Sequence, residues 1–481
     1  MAPLLYLDVL FGIMALSDDP TISRLMRVNK SLNIEGSKYL LDEPCISMRS
    51  SKNLDSLISF LSAYNGTRLA FLRGLSLEMQ TLQTSVARRL DDLLTTHATK
   101  VVLTQLDIQH LEAILKSCSS ISTAFARLTT VTHIRFEGVD ASGSEMLRNF
   151  QSKVERAVLQ WHPFGAEEEE NIGRLFRVQD TRIPMLVLRN FQSSLTTLAT
   201  TLGNLHRFRG DNTFQEVYPL LTDLQLRDIM LLGMQTRTMI RAFPNAQKIV
   251  IHQRTAIEYD RSHPIDAQHE RNVADQLAHG SWSSLETFMA GILDLYLISP
   301  TCPIREVHIV GPQMQTRLLR RILKRTRTTR LAFSGFEGNL FTPALTEMMR
   351  KPCVERVEFL ELTFWVGCVL PAEAIDAPEM VESWICAISG LPRLRVLGIV
   401  VHLENLQAGR ASPHEPCAAS AYFTCLDVRL LQLFKAEVPS LETVEMAVEG
   451  ARGQRAPVYA RLGPENPEFK MYASTFRCSF L

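Results

Sequence analysis

Apolar residues near the start of the chain recur at helical spacing. Leu7, Val9, Leu10, Ile13, Met14 and Leu16 leave Asp8 and Gly12 on a thinner polar side, which predicts an amphipathic helix with a broad apolar face. The stretch SDDP interrupts it, and Asp19 can cap a second helix whose first turn carries Pro20. Ile22, Leu25, Met26, Val28 and Leu32 continue near helical spacing, and EGSKYLLDE closes a helical unit over residues 1–45. Residues 46–66 read as a linker.

From there the pattern changes and repeats. Pro, any residue, apolar, two residues, apolar, one residue, apolar occurs as PLLTDLQL from Pro219, PNAQKIVI from Pro244, PCVERVEF from Pro352, PRLRVLGI from Pro392 and PSLETVEM from Pro439. Copies without that proline begin at Leu72, Val131, Ile183, Ile304 and Thr329, and SSLETFMA at Ser283 echoes the copy at Pro439. The closing apolar-x-apolar has period two and predicts a short strand with one buried face. Helical patterns precede several copies, so the unit reads as helix, proline-marked loop, strand. Leu224 to Ile249, Val307 to Leu331 and Leu331 to Val357 are 25, 24 and 26 residues apart, whereas Val357 to Leu397 and Leu397 to Val444 are 40 and 47 apart. The shorter spacings are those of leucine-rich repeats, which the array over 67–455 resembles in an irregular form. The consensus asparagine or cysteine is replaced by Ile229, Leu362 and Glu449. Residues 456–481 read as a tail. An ordinary α/β domain with evenly spaced strands is the competing architecture, and no GxGxxG or GxxxxGK[ST] loop supports its doubly wound version.

Composition narrows the classes. Hydrophobic residues make up 46% and charged ones 21% of 481, too apolar for disorder. The 51 basic and 51 acidic residues balance, which argues against bulk nucleic-acid or anionic-membrane binding. No apolar run is long enough for a transmembrane helix. A secretion signal is not expected either, since none of the first 23 residues is Lys or Arg and Asp8 interrupts the apolar stretch. Nine scattered cysteines without a CxxC pair point to a reducing compartment, cytoplasmic and/or nuclear.

Catalytic signatures are missing: there is no GxSxG, no HExxH and no kinase set. No catalytic residue, metal ligand or cofactor is expected, and the chain reads as a non-enzyme. His263 and His269 lie in a polar stretch read as a solvated loop, and Glu167 to Glu170 as an exposed turn. The sharpest charge feature is residues 316–330, where Arg317, Arg320, Arg321, Lys324, Arg325, Arg327 and Arg330 surround Leu318, Leu319, Ile322 and Leu323. A solvated helix face accounts for it; an acidic partner, nuclear import or nucleic acid would also fit.

With no catalytic motif, the N-terminus is the most specific feature. Leu5, Asp8, Val9, Leu10, Ile13, Met14 and Leu16, followed by Leu25, Val28, Lys30 and Leu32, resemble the F-box, whose pattern runs Leu-Pro-x-Glu-apolar-Leu and later Val-Cys-Lys-x-Trp. Tyr6, Asn29 and Leu32 depart from that pattern. With the repeats behind it, the whole resembles F-box proteins with irregular leucine-rich repeats of the fungal type. The fold this resemblance implies is α/β, an irregular leucine-rich-repeat solenoid preceded by a small all-helical F-box. The function it implies is that of a substrate-recognition subunit of an SCF-type, cullin–RING ubiquitin ligase. Leu5, Asp8, Val9, Leu10, Ile13, Met14, Leu16, Leu25, Val28 and Leu32 would bind a Skp-type adaptor and, through it, a cullin. A protein substrate would meet Asp223, Gln225, Arg227, Lys248, His252, Glu306, His308, Arg356, Glu358 and Glu445 on the open face of the strands. The alternative is a repeat scaffold whose N-terminal helices only cap the array.

Overall fold

A computed structural model describes residues 6–162, 182–203, 205, 215–229, 231, 234–252, 265–311, 315–336, 343–365, 376–403, 421–423, 428–449 and 458–464. It divides the chain into two units, Met1–Met230 with Arg241–Pro244, and Leu231–Ile240 with Asn245–Leu481.

The first unit opens with three helices: α1 (Leu7–Ala15), α2 (Asp19–Leu25) and α3 (Lys30–Leu40). Asp18, one residue before the expected cap, accepts the Thr21 amide, and Asn29 accepts that of Leu32, so each turn between helices supplies the cap of the next. Met14, Ile22, Met26 and Leu32 form a small core, with Leu10, Phe11 and Leu25 packed against it. A Cβ at Gly36 would overlap the Met14 and Met26 side chains, so both would have to shift to admit one.

Seven parallel strands follow in chain order: β1 (Ile46–Met48), β2 (Gly74–Leu77), β3 (Gln105–Ile108), β4 (His133–Val139), β5 (Arg156–Trp161), β6 (Thr197–Thr201) and β7 (Asp223–Arg227). Residues 46–66 are therefore no linker: they hold β1 and the helix Ser51–Gly66, capped by Ser50. The copy read as a strand from Ile183 is also corrected. Pro184–Val187 is one helical turn, and the strand lies later, at β6. Leu75, Leu106, Ile134, Ala157, Leu198 and Leu224 stand in register on the buried face, 31, 28, 23, 41 and 26 residues apart.

The second unit holds β8 (Lys248–His252), β9 (Leu285–Ala290), β10 (Ile304–Val310), β11 (Arg330–Phe336), β12 (Phe359–Trp365), β13 (Val396–His402), β14 (Thr443–Glu449) and β15 (Val458–Leu462). All pair in parallel with the next except β15, which runs antiparallel to β14 and extends the sheet into what was read as a tail. Ile249, Phe288, Val307, Leu331, Leu360, Leu397 and Val444 share one register row. Leu360, not Val357, is thus the equivalent of Leu331, because the chain makes a turn over residues 352–356 before β12 begins.

In both units each strand lies beside its sequence neighbours, with helical segments described between most successive pairs. A doubly wound sheet reverses its order partway. Where asparagine was absent, another backbone device recurs. One carbonyl at the start of a turn accepts two successive amides of the next: Arg73 from Thr104 and Gln105, Thr104 from Thr132 and His133, Thr196 from Thr222 and Asp223, and Glu358 from Arg395 and Val396. The hydroxyls of Thr104, Thr132 and Thr222 reach the same preceding carbonyls, and that of Thr196 reaches Glu155 O, which also accepts the Thr196 and Thr197 amides. Otherwise exposed polar backbone is satisfied from turn to turn.

Candidate docking surfaces

Helix α1 carries two apolar stripes. Leu10 and Met14 face the small core, whereas Val9, Ile13 and Leu16, at i, i+4 and i+7, share another side and stay exposed. Leu16 is 92% and Val28 66% exposed. Tyr6, Leu7 and Ile34 are exposed as well, so seven of the thirteen large exposed hydrophobics among the described residues fall within positions 6–34. These helices already have a core, so the concentration of exposed apolar side chains is greater than scattered single positions would give.

Of the expected adaptor contacts, Asp8, Val9, Ile13, Leu16 and Val28 are exposed, Leu10 and Leu25 are half-buried, and Leu5 lies outside the described residues. Met14 and Leu32 are corrected: both are fully buried in the module core and hold its shape instead of meeting a partner. Tyr6, Leu7 and Ile34 were missed, although the helical period that separates Val9 from Leu10 was the signal available for α1. Tyr6 stands where the F-box pattern has proline, and its φ of −62° and ψ of 141° are the backbone values that proline favours.

The face of the sheet opposite the core is uneven. In the first unit, Asp223 and Gln225 are half-buried and bonded to each other at 3.3 Å, and Arg227 is exposed. In the second unit, Lys248 is exposed, His252 half-buried, and Glu306 lies 3.7 Å from Arg330. Arg356 and Glu358 are exposed but precede β12, so neither lies on the face where it was expected. His308 and Glu445 are also corrected. They are 3% and 1% exposed, because β10 and β14 are buried on both sides. His269, read as part of a loop, is buried on the helix Ile265–His279, and His263 lies outside the described residues, as do Glu167 to Glu170.

One register row on this face runs Val250, Met289, His308, Ala332, Glu361, Gly398, Glu445. His308 Nε2 meets Ser334 Oγ at 2.6 Å. Burial, with His252 nearby, holds its imidazole down to about 3. Burial and the neighbouring Glu306, opposed by Arg330, push Glu361 up to about 8. Both groups are therefore neutral at pH 7, and Glu361 Oε1 has no hydrogen-bond partner.

Unfolding returns these groups to ordinary values of 6.5 and 4.5. Between those values unfolding releases a proton from Glu361 and takes one up at His308, so their contributions cancel. Above pH 6.5 only Glu361 acts, and stability falls as pH rises toward 8. Below pH 4.5 only His308 acts, and stability falls toward pH 3. Each limb has a slope of ~1.4 kcal/mol per pH unit. Glu361→Gln is expected to flatten the alkaline limb of the urea midpoint between pH 6.5 and 8; a variant that keeps the wild-type slope would contradict this assignment.

Among the described residues no group of three His, Cys, Asp or Glu side chains is placed to hold a metal, and no helix is long and apolar enough to cross a membrane. Comparison with known families finds no family model that matches the chain, and comparison with curated proteins finds no match.

Proposed function

We propose that this chain is a non-enzymatic substrate receptor of an SCF-type ubiquitin ligase, in which an F-box-like helical module docks a Skp-type adaptor and an irregular leucine-rich-repeat sheet binds a protein substrate. The observation that carries the proposal is the exposed stripe Val9, Ile13 and Leu16 with Val28, on a module that keeps a core of its own. A helix lays such a stripe into an apolar groove of a partner. No covalent step falls to the chain. It acts by holding the substrate near the conjugating enzyme, which raises the effective concentration of the reacting groups. The exposed or half-buried residues Asp223, Gln225, Arg227, Lys248, His252 and Glu306 are the substrate contacts that this reading retains.

The second reading, a cap on the repeat array, has its own support. The buried Arg68 guanidinium donates to Phe60 O at 3.0 Å and to Asn33 O and Oδ1 of α3, and it lies 4.0 Å from the Phe60 ring. Through Arg68 the module is tied to the first turn of the repeats. Deleting residues 1–45 separates the two readings. The receptor reading expects adaptor capture to vanish while the remaining chain still unfolds cooperatively, with a loss of ~1–3 kcal/mol for the freed Arg68 bonds. Collapse of the repeats on deletion would favour the cap.

A further inference from the structure

The helix Thr316–Thr326 buries Leu318, Leu319, Ile322 and Leu323 and exposes every cation it carries: Arg317, Arg320, Arg321, Lys324 and Arg325. Arg327 continues the row at its C-terminal end. Spaced i, i+3 or i+4, i+7 and i+10, these charges form a ridge ~15 Å long.

Half of the ridge is held in place from behind. Asp266 receives Arg317 at Oδ2, 2.8 Å, and Arg321 at Oδ1, 3.0 Å. Tyr296 Oη donates to Asp266 Oδ1 at 2.6 Å and accepts from Arg321. Arg325 donates to His269 Nε2 at 3.0 Å. The His269 ring stacks on Tyr296 at 3.8 Å, and its Nδ1 lies 2.8 Å from Tyr296 O. Burial first, then Arg325 and Arg321, lower the imidazole pKa, which keeps Nε2 free to accept. Each guanidinium has five donors and spends only one or two on these bonds, so further donors remain for a partner. Lys324 and Arg327 make no ion pair among the described residues, and Arg320, after Lys351, helps hold the nearby Glu347 carboxyl below its ordinary value.

We propose that this ridge is a docking site for an acidic protein segment, an Asp- or Glu-rich stretch of a partner. Asp266 already demonstrates the chemistry, a carboxylate gripped by two guanidiniums of the same helix. Ordered guanidiniums give up less entropy on binding than free ones. An extended peptide repeats a side chain on one face every ~7 Å, so the ridge matches two or three carboxylates. Nucleic acid fits less well. The ridge carries no aromatic side chain for stacking, and the balanced 51 basic and 51 acidic residues give none of the net positive charge that bulk nucleic-acid binding draws on. The inference is independent of what the N-terminal helices bind.

The test is fluorescence anisotropy with the full chain and a fluorescein-labelled twelve-residue peptide of alternating Glu and Ser. Binding is expected at low salt, weakening at least ~10-fold on raising salt to physiological strength and beyond. Arg320→Glu, Lys324→Glu and Arg327→Glu together should weaken it at least ~10-fold with unchanged circular dichroism; should that variant misfold, the milder Arg320→Gln with Lys324→Gln is expected to show a smaller loss in the same direction. Absence of peptide binding, equal binding by folded variants, or tighter binding of a twelve-base-pair duplex than of the peptide would overturn the proposal.

Discussion

Replacing Ile13 and Val28 together by aspartate is expected to abolish capture of a Skp-type adaptor while leaving the chain folded. Both side chains are already exposed, so a charge at either site disturbs little of the free protein. In a docked complex the same positions would lie in an apolar interface. The loss there has two parts: the apolar burial, ~1.5 kcal/mol per side chain, and the cost of desolvating two unpaired carboxylates. Together these exceed the ~2.8 kcal/mol that separates a complex from one a hundred times weaker. Met14→Asp should behave differently. Met14 is fully buried in the core formed with Ile22, Met26 and Leu32, so its charge would unfold the module before any question of docking arose. Circular dichroism and urea unfolding, run beside the capture assay, distinguish the two outcomes. Normal adaptor capture by the Ile13 and Val28 double variant would remove that surface from the account.

Trp384→Ala is expected to have the largest effect on stability. Trp384 is fully buried on the helix Ala377–Ile388, with its ring 4.3 Å from that of Phe364 and nearly parallel to it, and 6.2 Å from Phe423. Phe364 belongs to β12, so the indole joins a helix to the buried face of the sheet. Truncation opens a cavity and removes the stack, at a cost of ~3–5 kcal/mol. Trp384→Phe retains an aromatic ring and should lose less than half of that. The urea midpoint reads both. Below the unfolding transition Trp384→Ala should still capture the adaptor, because Trp384 and the N-terminal helices belong to different units. A change of under ~1 kcal/mol in Trp384→Ala would mean that the stack is not part of the core.

Strands were legible where apolar alternation followed a proline. PLLTDLQL, PNAQKIVI and PRLRVLGI all place their strands correctly, because proline ends the preceding segment and period two does the rest. Strands β3, β5 and β6 lack that proline and were overlooked; in β5 the exposed Val158 between Ala157 and Leu159 masks the alternation. With only three residues, β1 was too short for any period to show. The two-sided burial of β13 was also written in the chain: VLGIVVH is almost continuously apolar, the mark of a strand covered on both faces. In β14, TVEMAVE, Glu445 alternates with Val444 and Met446 as an open-face residue would, so its burial was not legible. At the N-terminus, periodicity identified an apolar helix but did not divide core from surface. That division depends on which side α2 and α3 cover, and resemblance to a motif assigned Met14 and Ile13 to the same role although one is buried and the other exposed.

The most direct measurement is the association of the purified full chain with a purified Skp-type adaptor, followed by size-exclusion chromatography and calorimetry. A one-to-one complex with a Kd of ~1 μM or tighter is expected, little affected by salt because the contact is apolar, and lost when Ile13 and Val28 become aspartate. Two separate peaks at tens of micromolar, with no heat of binding, would contradict it.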